Sequence, residues 1–369
     1  MTTISSQQIW VDQKDLSKTK VVNIELDMEQ LQPDEVLLEV ESFGFSANNI
    51  TYAAFGFKMG YWGFFPTDTN EEPGFGITPV WGFAKVKASK HPKVKVGEKV
   101  FGYLPMASHW VIQVGKEAAH GFSDIHPKRK SISPVYDQYI RCSADPGYVA
   151  DREAWQLSFR PLYMTSFVLD DYVAELSKGE SLILSSASSK TALGTAQLLK
   201  DQKAARGVDY KVIGLTSASN VDLVTATDCY DQVISYEELT LLDKQQKYWL
   251  LDFAAKGSLI SELSQLLGNN LVKVTLIGAT DWNASEKPNP KLHDAEIFFA
   301  PARVKLRQSE WGHQAFLEKY SNAWQAFATK IKDQFFVKHV IGNEDIIQLY
   351  LATLNGKADT KALNVLSFE

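Results

Sequence analysis

Between Ser181 and Ser217 the chain passes through an apolar run, a serine-rich loop, a helical segment and a second apolar run, an order that few folds accommodate. Ser181-Leu182-Ile183-Leu184 has the length and apolar continuity of a buried strand. Thr191 to Lys200 carries Ala, Leu, Gln and Lys at helical spacing, and Lys211-Val212-Ile213-Gly214-Leu215 reads as the next strand. Together they make the opening half of a βαβ unit of the nucleotide-binding kind. The loop between strand and helix offers Ser186, Ser188, Ser189, Lys190 and Thr191, whose N–H groups, hydroxyls and ammonium would face an anion seated on the helix N-terminus.

The loop departs from the usual glycine pattern. G-x-G-x-x-G lets backbone approach a pyrophosphate closely, whereas here Ser189, Lys190 and Ala192 stand where glycines are expected, so phosphate would be held by side chains. The plainer alternative is that Ser188 or Ser189 caps a helix in an α/β sheet. Two other motifs fail on inspection. Ser189-Lys190-Thr191 looks like the end of a P-loop, but Leu184 occupies the first glycine position; an S-x-x-K nucleophile is ruled out by Ala187 three residues before Lys190.

A length of 369 residues with 45% hydrophobic content supports two domains with substantial cores. A net charge of −6 argues against a nucleic-acid surface, which needs a clustered basic face. Cys142 and Cys229 are the only cysteines, and the histidines (His91, His109, His120, His126, His293, His313, His339) are scattered, so a disulfide framework and a zinc site are both disfavoured and no metal is expected. Met1 to Gln13 lacks the apolar core of a signal peptide, and no segment is apolar for the width of a bilayer. A cytoplasmic protein with no membrane partner is the expectation.

From Val21 to about Gln113 the pattern is β-like, with Phe83-Ala84-Lys85-Val86-Lys87-Ala88 alternating, and implies a mostly antiparallel β domain. Between Phe55 and Gly82 lies an aromatic-rich stretch without period, either core-filling or a lid over an apolar substrate. Beyond about Pro161 short apolar runs alternate with helical stretches. Gln232 to Tyr236, Tyr248 to Phe253, Val272 to Gly278 and Glu296 to Phe299 read as strands of a doubly wound parallel sheet. Gln314 to Lys332 reads as an amphipathic helix, and Val337 to Phe368 as strand, helix and closing strand. The expected fold is α/β, with domains at 1–160 completed by 335–369, and at 161–334.

In that order the chain resembles the zinc-independent medium-chain dehydrogenase/reductases, the quinone oxidoreductase and enoyl reductase branch, and looks closest to an uncharacterised bacterial family on that scaffold. Asp34-Glu35-Val36-Leu37-Leu38-Glu39-Val40 with Phe43 to Ile50 is similar to the family's "GEVLVKV…CGVNPVDI" run, and Val94 to Gly102 resembles "FKVGDRVFG". Ala196 to Lys200 matches "AxQLAK", Asp231 to Tyr236 matches "ADHVINY", and Gly356 to Lys361 resembles "GKATGKVVL". The matches are colinear over nearly the whole chain. The resemblance implies a GroES-like β domain carrying the substrate pocket, a Rossmann domain carrying NADP(H), and a homodimer. Two departures stand out: the "AxGGVG" phosphate loop is Ala187 to Ala192 here, and the aromatic stretch after Phe55 is longer than usual.

Candidate residues follow. After the second strand of the βαβ unit, Thr216-Ser217-Ala218-Ser219-Asn220 contains no acid, which favours NADP over NAD, with Thr216, Ser217 and Asn220 as donors; a polar turn is the alternative. The resemblance places Tyr236 near the adenosine end of the cofactor, and Gly278 and Ala279 where backbone approaches the nicotinamide. Reduction of a carbonyl or enone needs a hydrogen-bond donor for the developing oxyanion. Aligning Gly56 with the glycine of the family's "DTYIRSG" run puts Tyr52 on its tyrosine, a shift of one puts Thr51 there, and Asn48 and Asn49 lie beside it. Tyr61, Trp62, Phe64 and Phe65 would wall a small apolar substrate, or belong to local core. The expected activity is NADPH-dependent reduction of an activated double bond, quinone or carbonyl. A catalytically silent nucleotide- or ligand-binding descendant, and redox-neutral chemistry on the same scaffold, remain open alternatives.

Overall fold

The strand Glu35–Gly44 is where the first unit closes on itself. It pairs antiparallel with Pro79–Ser89 on one side and with His109–Ala118 on the other. The path runs on through Lys99–Pro105, Gln138–Arg141 and Gly121–Asp124 back to His109–Ala118, so six strands form a closed ring. Closure removes exposed sheet edges, and the interior is filled by side chains such as Leu38, Tyr103 and Ile112, each essentially inaccessible. The computed structural model describes residues 3–67, 74–130, 133–253, 257–277 and 295–369. Its contacts divide into one unit of Met1–Ser158 with Phe335–Glu369 and another of Phe159–Gln334.

The C-terminal segment returns to the barrel as strand, helix and strand. Phe336–Ile341 pairs parallel with Ala362–Ser367 across the helix Asn343–Leu354, and Val365 and Leu366 meet Gly44 and Phe43. The aromatic stretch is built into this unit. The helix Ala47–Ala54 and the turn Tyr61–Gly63 bury Tyr52, Tyr61, Trp62, Phe64 and Phe65 in one hydrophobic core, while Phe57 stays 67% exposed.

In the second unit a parallel sheet has the order Gln232–Ser235, Val212–Thr216, Ser181–Leu184, Tyr248–Asp252, Leu271–Leu276, Glu296–Ile297. Numbered along the chain this is 3-2-1-4-5-6, the Rossmann order. Strands 1, 2 and 4 are buried at every position, because helices cover both faces of a parallel sheet. Each fully buried Leu or Ile contributes roughly 1.5–3 kcal/mol. The expected strand through Phe299 is cut to Glu296–Ile297. Ile297 and Phe299 are exposed at the sheet edge, and Pro301 starts the helix Ala300–Trp311, whose first turn suits its fixed φ. Tyr236 likewise leaves its strand and begins the 3-10 run Tyr236–Leu241.

Candidate functional site

The order of strand addition reverses between the parallel neighbours 1 and 4, and in open α/β sheets the crevice at such a switch point is where ligands bind. Here the two strand ends are clipped together. Ser185 Oγ donates to Asp252 Oδ1 at 2.5 Å and accepts from the N–H of Phe253 at 2.8 Å. The next residue, Ser186, has φ +48°, a left-handed conformation more usual for glycine. Its N–H donates to Tyr236 Oη at 2.8 Å, and Tyr230 Oη donates to the Ala187 carbonyl at 2.9 Å. Gly214 makes room for the loop, since a Cβ there would lie 2.8 Å from the Ala187 methyl.

Ser189 caps the helix Lys190–Asp201, its Oγ accepting from the N–H of Ala192 at 3.3 Å. The first-turn amides of Lys190 and Thr191 have no intrahelical acceptor, as at any helix start. Asn220 Nδ2 donates to Ser217 Oγ at 3.1 Å and Ser188 Oγ at 3.4 Å, so it joins the turn after strand 2 to the serine loop. Thr216 is buried at the strand end, whereas Ser217 and Asn220 are half-buried.

Lys190 differs from other lysines of this unit. Lys200, Lys203 and Lys330 pair with Asp228, Asp231 and Asp201 at 2.7, 2.7 and 3.2 Å. Among the described residues Lys190 pairs with no carboxylate; its ammonium lies 5.5 Å from the centre of the Phe159 ring. Burial pushes the amine down to about 8. A partly desolvated cation at a helix start, beside free amides and hydroxyls and with no carboxylate partner among the described residues, suits an anionic ligand. Gly278 and Ala279 lie outside the described residues.

In the barrel unit, Tyr52 is 7% exposed on the helix Ala47–Ala54, and Asn48 one turn earlier faces its hydroxyl. Thr51 instead bonds back to the Ala47 carbonyl at 3.2 Å, so of the two registers it is Tyr52 that points into the aromatic core. Burial pushes its phenol up to about 12 and keeps it a donor. Asn49, beside Tyr52 in sequence, is occupied by backbone: its Oδ1 accepts from the Ser46 N–H at 2.9 Å and its Nδ2 donates to the Pro79 carbonyl at 3.1 Å. Both ends of that buried amide hold backbone.

The pocket-wall residues also pack inward. Trp62 is wedged between Gly56 and Gly76, where added Cβ atoms would come within 2.1 and 2.6 Å of its ring. Phe65 is fully buried, 5.6 Å from the Trp110 ring and 6.0 Å from that of Tyr103. Tyr61 keeps a polar end, its hydroxyl 3.4 Å from that of Tyr136. Trp81, from the aromatic stretch, and two residues not singled out by sequence, Tyr103 and Tyr136, complete the cluster around Tyr52, with Tyr103 5.6 Å from Tyr52 and 4.8 Å from Tyr136. A cavity of about 130 Å³ borders the same core, lined in part by Trp10, Phe64, His109, Trp110 and Arg129. Among the described residues no three of His, Cys, Asp or Glu gather as a metal site would require, and no helix is long and apolar enough to cross a membrane.

The model of a family described as "Protein of unknown function (DUF2855)" matches residues 43–359. No curated protein matches the sequence. Among solved structures, CurA in complex with NADPH from Vibrio vulnificus is similar at 14% identity and TM-score 0.59, covering 98% of this chain and 99% of its own. A mutant enoyl thioester reductase from Candida tropicalis gives 14% and 0.60, covering 99% and 100%. The quinone oxidoreductase from Coxiella burnetii gives 12% and 0.56, also covering 99% and 100%. At such identities the likeness is one of fold: a GroES-like barrel with a Rossmann domain, the architecture of medium-chain dehydrogenase/reductases.

Proposed function

The chain belongs to the DUF2855 family, and from that premise we propose that it is a zinc-independent, NADPH-dependent oxidoreductase that reduces an activated double bond, quinone or carbonyl of a small apolar substrate. The observation that carries this reading is Lys190, a cation without a carboxylate partner among the described residues, at the start of the helix that follows strand 1 of a Rossmann sheet. The likeness in fold to CurA, crystallised with NADPH, supports it.

The residues present fit the cofactor. Lys190, Ser188, Ser189 and the free amides of Lys190 and Thr191 would hold phosphate. Ser217 and Asn220 would meet a 2′-phosphate without the repulsion that a carboxylate at the end of strand 2 would introduce. When bound, NADPH supplies a hydride. The chain's own part lies in the barrel: Tyr52, held protonated by burial, donates a hydrogen bond to the substrate oxygen as negative charge develops there, and Asn48 orients that hydroxyl. A homodimer is part of the same reading, and a monomer by light scattering would remove that part.

The test is a titration of the purified protein with NADPH and separately NADH, followed by nicotinamide fluorescence and repeated with Lys190→Ala. Tight NADPH binding that weakens at least about tenfold in the variant is expected for loss of a charge-assisted phosphate contact. Binding of neither nucleotide would turn the reading to a silent ligand-binding protein. Once a substrate is found, Tyr52→Phe is expected to lower kcat by about a hundredfold or more, the usual effect of deleting one oxyanion donor; unchanged turnover removes Tyr52 from the chemistry.

A further inference from the structure

Tyr103 is fully inaccessible, and among the described residues its hydroxyl has no hydrogen-bond partner; the indole N–H of half-buried Trp81 is inaccessible too and faces only the Tyr52 hydroxyl. Buried polar groups left unpaired are few in folded proteins, and each calls for a water, an ion or a ligand. These two belong to one cluster. The Tyr103 ring lies 5.1 Å from that of Trp81, 5.6 Å from Tyr52, 4.8 Å from Tyr136 and 5.2 Å from Phe64. The hydroxyls of Tyr52, Tyr61 and Tyr136 are near enough to that of Tyr103 to disfavour its ionisation. Among them the only hydrogen bond is the long 3.4 Å contact between Tyr61 and Tyr136.

The chemistry of this set is narrow. Phenols and an indole converge, and no carboxylate bonds to any of them among the described residues, so a cation or ammonium finds no counter-charge. The nearest guanidinium, Arg129, is committed to Asp124 at 3.1 Å and Asp137 at 3.2 Å, so a carboxylate or phosphate finds no free positive charge. What remains is an acceptor oxygen on a neutral, flat, apolar body, with aromatic faces on every side.

We propose that the Tyr103 hydroxyl and the Trp81 indole N–H, together with Tyr52, hold the oxygen of a neutral carbonyl-bearing ring. The inference deepens the oxidoreductase reading and rests on it for its meaning: the ring is the substrate, and three donors rather than one receive its oxygen. Trp81 and Tyr136 are half-buried, so the edge of the cluster reaches the surface of its unit.

The test uses acetophenone against α-methylstyrene, which exchanges C=O for C=CH2 at nearly constant shape, titrated into the intact nucleotide-free protein and followed by ligand-observed NMR. The wild type is expected to prefer the ketone about fivefold or more, the worth of one net hydrogen bond. In Tyr103→Phe, which removes only the unpaired hydroxyl, the preference is expected to fall below twofold with the melting temperature unchanged or raised; Trp81→Phe provides a second variant if the first does not fold. Equal binding of the two probes, binding of neither, or a ketone preference that survives in Tyr103→Phe overturns the inference. NADPH binding measured in parallel separates the two failures: nucleotide bound without a ketone preference sinks only this proposal, and no nucleotide bound sinks the oxidoreductase reading itself.

Discussion

The N–H of Ser186 donates to the hydroxyl of Tyr236 at 2.8 Å across fifty positions of sequence, joining the turn after strand 1 to the end of strand 3. The turn needs that support because Ser186 sits at φ +48°, where a residue with a Cβ is strained by about 1–2 kcal/mol. A glycine loop would relieve the strain by itself. This loop instead fixes its backbone with two tyrosine hydroxyls, Tyr236 on Ser186 and Tyr230 on Ala187, and with the Ser189 cap.

Tyr236→Phe removes the acceptor and leaves the Ser186 N–H without its partner. The expected loss is about 1 kcal/mol of stability, read as the shift in a urea unfolding midpoint at unchanged slope. If nucleotide binds at this loop, affinity falls with it; a variant as stable as the wild type shows that the bond does not hold the loop.

Lys190 makes NADPH affinity depend on pH in a stated direction. Burial lowers its amine from 10.5 to about 8 in the fold. The unfolded chain therefore binds the proton more tightly, and without ligand the group lets stability rise as pH climbs from about 8 toward the unfolded value. A bound phosphate reverses the balance, favours the ammonium and takes up a proton. Affinity is expected to be flat between pH 7 and 7.5, where phosphate has finished titrating, and to fall above about 8 by at most about tenfold per pH unit. Lys190→Met should give weak binding with no such fall; a wild-type profile flat to pH 9.5 would place the phosphates elsewhere.

Much of the scaffold is legible in sequence because its cause is local. Ser181–Leu184 reads as a buried strand since every position is apolar or small, and the helix Lys190–Asp201 since Ala, Leu and Gln recur at helical spacing. Gly97, inside the run similar to "FKVGDRVFG", has φ +88° in the turn that returns the chain to Val86. The candidate site is less legible. Trp81, Tyr103 and Tyr136 lie on three separate segments, and only barrel closure brings their rings together. Asn49 reads as a free polar side chain because its partner, the Pro79 carbonyl, is thirty residues away. The aromatics after Phe55 carry no period that separates wall from core; Trp62 is fixed by Gly56 and Gly76, a fit visible only in three dimensions.

Arg129 holds the rim of the aromatic core. Its side chain is 4% exposed, its guanidinium is 5.0 Å from the centres of both Phe64 and Phe65, and it pairs with Asp124 and Asp137. Arg129→Met keeps much of the apolar contact and removes the charge, stranding the carboxylate of Asp124, itself 1% exposed. Breaking a buried pair in this way costs about 3–5 kcal/mol. Burial already pushes the Asp124 carboxyl above its ordinary value, with Arg129 opposing the rise; without the arginine it moves further up. An acid whose folded pKa lies above its unfolded one binds its proton more tightly in the fold, so its contribution to stability is greatest at low pH and is lost as pH rises through the folded value. The penalty of Arg129→Met is therefore expected to be smaller at pH 5 than at pH 8, where Asp124 is stranded as an anion. Guanidinium unfolding at the two pH values checks it: an equal penalty at both would mean that the arginine contributes packing and not charge.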